Sequence, residues 1–199
     1  MPKIVDHDAR RREIIEAVWA LIARRGLDAV TMRDLAAEAG YANGALAGYF
    51  RNKDEILLAA FQHTFESTNV RARESIGDAT GLAALRLLCL EIMPLDEARL
   101  MEARVVIAFW DRAVHDERMA EVHENAMAAW RTQMCGCLRQ GRRHGDIVTG
   151  TPDDEVVDTL LAALMGFQIN AVLLPHTTTP RRQEAVLDGL LGLLGSLGS

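Results

Sequence analysis

Cysteine is scarce, at three in 199 residues. Cys135 and Cys137 stand two apart on an expected helix and so face different ways. No zinc set follows from that spacing, and buried thiols are the expectation. No metal, cofactor or catalytic residue is expected either. The six histidines His7, His63, His115, His123, His144 and His176 form no HExxH pair, and neither GxSxG nor a phosphate loop is present. Long apolar runs are missing too. The most apolar late stretch, Val156 to Leu174, is broken by Asp158, Gln168 and Asn170, which predicts a buried helix rather than a membrane span. Charges of both signs precede any apolar run at the amino terminus, so no secretory signal and a cytoplasmic location are expected. With 49% hydrophobic residues, the chain still has ample material for a core.

An excess of positive charge is also lacking, since the net charge is −6. It is unevenly spread. Residues 1 to 56 hold nine basic and nine acidic side chains, whereas residues 57 to 199 hold thirteen and nineteen. The Arg10-Arg11-Arg12 cluster, Arg33, Arg51 and Lys53 remain available for a local positive face, which phosphate contact requires.

What is present is a stretch from Thr31 to Phe50 that reads as two short helices joined by a sharp turn. Thr31 and Asp34 form a capping box, and Gly40 ends the first helix by accepting a left-handed backbone. Ala36 permits close crossing. Leu46, Tyr49 and Phe50 give an i, i+3, i+4 stripe that turns the second helix inward. This is helix-turn-helix spacing, in which the second helix enters the major groove of DNA while the first crosses the backbone.

The segment Ala39 to Leu57, AGYANGALAGYFRNKDEIL, resembles the signature of TetR-type transcriptional regulators. Gly40, Gly44, Tyr49, Phe50 and Lys53 match the family pattern of a helix-ending glycine, a glycine-containing recognition helix, a Tyr-Phe pair and a helix-opening lysine. The Asn43-Gly44 pair and the Phe109 to Val114 segment also resemble the choline-responsive BetI branch, more distantly. The resemblance implies a homodimeric repressor that binds a pseudo-palindromic operator and is released by a small-molecule inducer. It also implies that Tyr49 and Lys53 hold phosphates, joined by Arg33 from the helix that crosses the backbone. The family more often has serine, tyrosine and histidine where this chain has Ala42, Ala47 and Gly48. Base readout is therefore expected to be sparse: close backbone approach and alanine contacts from Gly44, Ala45, Ala47 and Gly48, with polar reach from Tyr41 and Asn43.

The rest of the chain is expected to be all-α, with about nine helices in total. A helix-turn-helix domain is placed at residues 8–54, after an irregular arm over 1–9. A larger effector-binding and dimerisation domain follows at 55–197. Gly26 ends the first helix, and Asn52 with Glu55 opens a long one running to about Ser75. Its later residues His63, Thr64, Glu66, Ser67 and Asn69 read as a solvated connector. Further helices span Leu82 to Met93, Asp96 to about His115, Glu117 to His144, Pro152 to Leu174 and Thr179 to about Leu194. The last two are apolar over most of their girth, which predicts pairing with symmetry mates in a four-helix bundle, with Gly166 near the contact. An effector pocket is expected among the middle helices, lined by some of Phe109, Trp110, Met127, Trp130, Met134 and Met165, with Gln168 or Asn170 as polar contacts. Tryptophans near Glu91, Glu102 or Asp111 make a cationic amine the first choice of ligand, and a larger uncharged lipophile the second.

Two other classes stand beside this one. The acidic run Asp153 to Asp158 faintly resembles the metal motif of all-α prenyl synthases, but it opens a helix, where the macrodipole favours acids anyway. A near-neutral first domain with small side chains also suits a protein-binding adaptor that makes no sequence-specific DNA contact.

Overall fold

The computed structural model describes residues 7–195 apart from residue 43. Among these residues it holds eight α-helices and one short 3-10 turn, with no strand. The helices are α1 (His7–Arg25), α2 (Met32–Glu38), α3 (Lys53–Ile76), α4 (Gly81–Ile92), α5 (Glu97–Ala113), α6 (Glu117–His144), α7 (Asp153–Leu173) and α8 (Pro180–Gly192). The ninth expected helix is the difference: Leu46–Gly48 closes only one 3-10 turn. Two glycines within five residues explain it, because each costs about 1 kcal/mol of helix propensity relative to alanine. Residues 7–9, expected in an irregular arm, are helical. Residues 1–6 of that arm and residues 196–197 of the second expected domain lie outside the described residues.

Local signals act as their chemistry dictates. The Thr31 side chain accepts from the Asp34 N–H while Asp34 accepts from the Thr31 N–H, a complete capping box. At the other end of α2, Gly40 has φ +74°, the Tyr41 N–H bonds Ala36 O at 2.8 Å, and the Gly40 N–H bonds Ala37 O at 3.1 Å. This is a Schellman stop, and it turns the chain sharply into the 3-10 turn. At the start of α3, Asn52 caps the Glu55 N–H, but the Glu55 carboxylate reaches past it to the Arg51 N–H at 2.9 Å. Pro152 is the N-cap of α7 rather than its first helical residue, whereas Pro180 does open α8.

Two hydrophobic cores form. The first joins α1, α2, the 3-10 turn and early α3 through Ile14, Val18, Leu35, Leu46, Phe50 and Leu57, and continues into Val105, Val106 and Phe109 of α5 and Met119 of α6. The second packs α4, α6, α7 and α8 around Leu85, Leu88, Met134, Leu138, Leu160 and Leu187. The first core thus extends past residue 54 into α5 and α6, and α3 and α6 contribute to both cores.

Candidate DNA-binding face and buried cavity

Leu46 and Phe50 are buried and pin the 3-10 turn to the first core, which leaves Ala42, Gly44, Ala45, Ala47 and Gly48 exposed together. A Cβ added at Gly44 or Gly48 would meet nothing within 4 Å. The surface is therefore small and open, as a close-docking face requires. Asn43 lies outside the described residues. Tyr41 departs from the expected polar reach. Its hydroxyl is buried with no hydrogen-bond partner among the described residues, its ring meets Tyr49 edge-on at 5.9 Å, and Arg10 lies over it at 5.3 Å. It packs inward because α1 lies over it.

The cations differ in availability. Arg33 is exposed and its side chain forms no hydrogen bond or ion pair among the described residues. Lys53 is half-buried, and its Nζ donates to Leu27 O at 3.0 Å and Val30 O at 3.1 Å, tying the loop between α1 and α2 to the start of α3. Two of its three N–H donors are thus engaged. Tyr49 is half-buried between His7, 4.8 Å away, and Tyr41, and its carbonyl accepts from Arg11. Hydrogen bonds from the Thr31 backbone and hydroxyl hold the Asp34 carboxyl below the usual carboxylate range, so this acid stays charged beside the face.

A cavity of about 30 Å³ lies between α3, α5, α6 and α7. That is room for a water or two, at about 10–15 Å³ each, so a larger occupant must move its walls. Of the expected lining, Trp110, Met127, Trp130, Met165 and Gln168 are there. Phe109, Met134 and Asn170 are not. Phe109 is fully buried in the first core, stacked on Phe61 at 3.9 Å, and Met134 is fully buried in the second. Asn170 is exposed, since two residues past Gln168 is about 200° around the helix.

The missed lining comes mostly from α3 and α5; on α3, Phe61, Thr64, Phe65 and Thr68 form an i, i+3, i+4, i+7 stripe. The expectation of a solvated connector fails at Thr64, which is only 5% exposed, whereas Glu66 is exposed and His63, Ser67 and Asn69 are half-buried; Thr68, outside that expectation, is 4% exposed. That stripe was readable, but two of its four members are polar. Arg99 and Glu102 also line the cavity.

The polar groups are mostly committed. Arg71 grips both Glu102 oxygens at 2.7 and 2.8 Å and reaches Glu91 at 3.3 Å, while Arg99 pairs with Glu91 and Asp96. Asp111 is exposed and does not line the cavity. The wall therefore borders an ion-paired cluster of two arginines and three carboxylates rather than a free carboxylate. Trp130 Nε1 donates to Asn69 at 2.9 Å, and its ring lies 5.1 Å from Phe65. Trp110 Nε1 and Gln168 Oε1 have no partner among the described residues. Behind Trp110, burial pushes the His123 imidazole pKa down, which favours its neutral form.

On the outside of α7, exposed Ala162, Ile169 and Leu173 and half-buried Gly166 follow one another at helical spacing, and a Cβ at Gly166 would meet nothing within 4 Å. Val186 of α8 and Leu193 just beyond it are likewise exposed, while the opposite face of α7 fills the second core. Long and apolar enough to cross a membrane by length and composition, α7 packs one face into the second core. Of the four acids in its opening run, Asp153 pairs with Arg142 at 2.7 Å and Asp158 with Arg131.

Comparison with known proteins follows the same division. Residues 14–60 match the family model for bacterial regulatory proteins of the tetR family, and residues 81–195 match that for the carboxyl-terminal part of BetI-type transcriptional repressors. The HTH-type transcriptional regulator PksA of Bacillus subtilis is 28% identical over 189 residues, covering 94% of this chain and 90% of that protein. The regulator BetI of Serratia proteamaculans is 25% identical over 130 residues, covering 62% and 64%. A transcriptional regulator from Rhodococcus superposes with a TM-score of 0.81 at 28% identity, covering 92% of this chain and 95% of that one. A regulator from Saccharomonospora viridis, solved with choline, has the same fold, with a TM-score of 0.84 at 23% identity over 92% and 96%.

Proposed function

This chain belongs to the TetR family of DNA-binding transcriptional regulators and carries a BetI-type carboxyl-terminal part; from that premise we propose that it is a homodimeric repressor released from its operator by a small organic cation. As a regulator of this family it acts through binding rather than catalysis. Residues 8–54 are assigned to DNA and 55–197 to effector and dimer contacts, with the cytoplasm as the place of action. Arg33, Tyr49 and the remaining donor of Lys53 take phosphates. Ala42, Gly44, Ala45, Ala47 and Gly48 approach the groove, and the two recognition turns of a dimer meet half-sites about 34–36 Å apart or a multiple of that.

The observation that carries the effector assignment is the cavity wall, where Phe61, Phe65, Trp110 and Trp130 present four aromatic rings. An ammonium over such faces gains roughly 0.5–2 kcal/mol per favourable contact as it is desolvated. Because Glu102 is already gripped by Arg71, the rings rather than a free carboxylate supply the attraction. The choline held by the Saccharomonospora protein of the same fold supports this class. Since a ligand shifts an equilibrium only by its differential affinity, the cation must prefer the form that fits DNA badly.

Footprinting on DNA flanking the gene, with and without choline, polyamines and uncharged lipophiles, tests the proposal. A protected palindrome that steepens in salt dependence with each phosphate contact and is released by a cation is expected. Release by uncharged compounds alone would refute the cation class. Absence of any DNA shift at low salt would favour a protein-binding adaptor.

A further inference from the structure

The cavity wall and the first core share one face of α3. Thr64 lines the cavity, and its hydroxyl accepts a hydrogen bond from Trp19 Nε1 of α1 at 3.0 Å. One turn earlier, Phe61 also lines the cavity and stacks on Phe109. From Trp19 back to Arg11 is about 12 Å along α1. There Arg11 donates to the Tyr49 carbonyl, and its guanidinium lies 4.2 Å from the centre of the Phe50 ring. The middle of α1 is thus bonded to the cavity wall and its amino-terminal part to the recognition turn. Its carboxyl end is tethered as well, because Arg112 of α5 pairs with Asp28, just beyond α1, and with Asp54 at 3.6 Å.

We propose that Thr64 is the positioning residue that couples the cavity to the recognition turn. An occupant of the cavity displaces the Thr64 side chain, and Trp19, α1 and Arg11 carry that shift to Tyr49 and Phe50. This rests on the cavity being the effector site. A space of about 30 Å³ admits no effector without displacing its walls. Met127 and Met165 absorb such a change by re-packing, since methionine is flexible. Thr64 does not: it is β-branched and stiff at χ1, and its oxygen is committed to Trp19. In a close-packed interior the displacement passes to the next rigid element, which is α1.

The test is amide hydrogen exchange on the full chain, read as the rate at Gly48, Tyr49 and Phe50 relative to α5. Thr64→Val keeps the shape and removes the acceptor, and Trp19→Phe removes the donor. Each should speed exchange of the turn on the order of fivefold, the effect of losing one neutral hydrogen bond. The double variant should match either single one, and Thr64→Ser should restore the wild-type rate. Thr132→Val on α6, an exposed residue outside the cavity whose hydroxyl bonds Ala128 O, should leave the turn unchanged. A wild-type rate in Thr64→Val, or additive effects in the double variant, would overturn the coupling. Choline chloride, followed by calorimetry, gives a second arm. Binding that alters turn exchange in the wild type but not in Thr64→Val supports the coupling, and an equal change in both refutes it. Failure of choline to bind removes choline as the effector, and the variant comparison still decides the role of Thr64.

Discussion

At Lys53 two demands meet in one side chain. Its ammonium already bonds two backbone carbonyls, so Lys53→Ala leaves Leu27 O and Val30 O without that donor. Thermal unfolding should register a loss of about 1.5–3 kcal/mol for hydrogen bonds to a charged group. The proposed phosphate contact adds a separate signature: weaker binding to all DNA sequences alike, with the salt slope lowered by about one unit. A lower melting temperature with an unmoved slope would confine Lys53 to its structural clip. Gly48 presents the opposite case, because space around it is open within the chain. Gly48→Leu should therefore unfold within about 0.5 kcal/mol of the wild type yet lose operator binding in a mobility-shift titration. Retained binding would move the docking face elsewhere. At Gln168 and Asn170 the residue scale shows what spacing alone leaves open. Both are polar residues on an apolar helix, but rotation about the axis puts one in the cavity wall and the other in solvent.

At the scale of elements, α2 is held by a cap that is sensitive to acid. The folded-state pKa of Asp34 is depressed, so its contribution is present above the usual carboxylate range and is lost as pH falls through the depressed value. Amide exchange of Asp34 and Leu35 should accelerate as pH drops through that window, after correction for intrinsic rates, and Asp34→Asn should flatten the trend. An identical pH profile in the variant would show that the cap is not the titrating element. The neighbouring recognition turn follows a different rule. Its inward stripe was legible from Leu46, Tyr49 and Phe50, but the expected α-helix shortens to one 3-10 turn because glycine weakens the local preference that burial must work with. In α3 the situation reverses. Polar Thr64 and Thr68 look like surface residues by composition, and they are buried because each hydroxyl has a partner, Trp19 in one case and Arg71 in the other.

Across the whole molecule, the outer stripe of α7 and the exposed apolar residues on and just beyond α8 are the surface proposed for pairing two chains. An interface of standard size, about 1,600 Å², suits such a pair of helices. Gly166→Trp adds bulk where the chain itself places nothing, so the folded subunit should be preserved while sedimentation shifts from dimer to monomer or aggregate. A dimer unchanged in mass would place the interface on another surface. Continuity of the first core into α5 and α6 bears on control at this scale. The helices that line the cavity also support the DNA-binding unit, so the two proposed functions share α3 and α5 rather than being joined by a loose linker.

The sequence by itself determined whatever depends on neighbours along the chain. Thr31 with Asp34 and the Gly40 stop bound α2, Asn52 opens α3, Gly145 ends α6, and the Tyr49-Phe50 and Lys53 positions identify the family, since caps, glycine stops and periodic stripes act over a few residues. Tertiary structure alone decided which of several equivalent faces meet. It turned Phe109 into the first core and Trp110 into the cavity, buried the Tyr41 hydroxyl beneath α1, matched Arg71 to Glu102 across 31 residues, and brought Trp19 to Thr64 across 45. The physical reason is that a helix fixes the angles between its side chains but not its own rotation, which only packing against other helices can set.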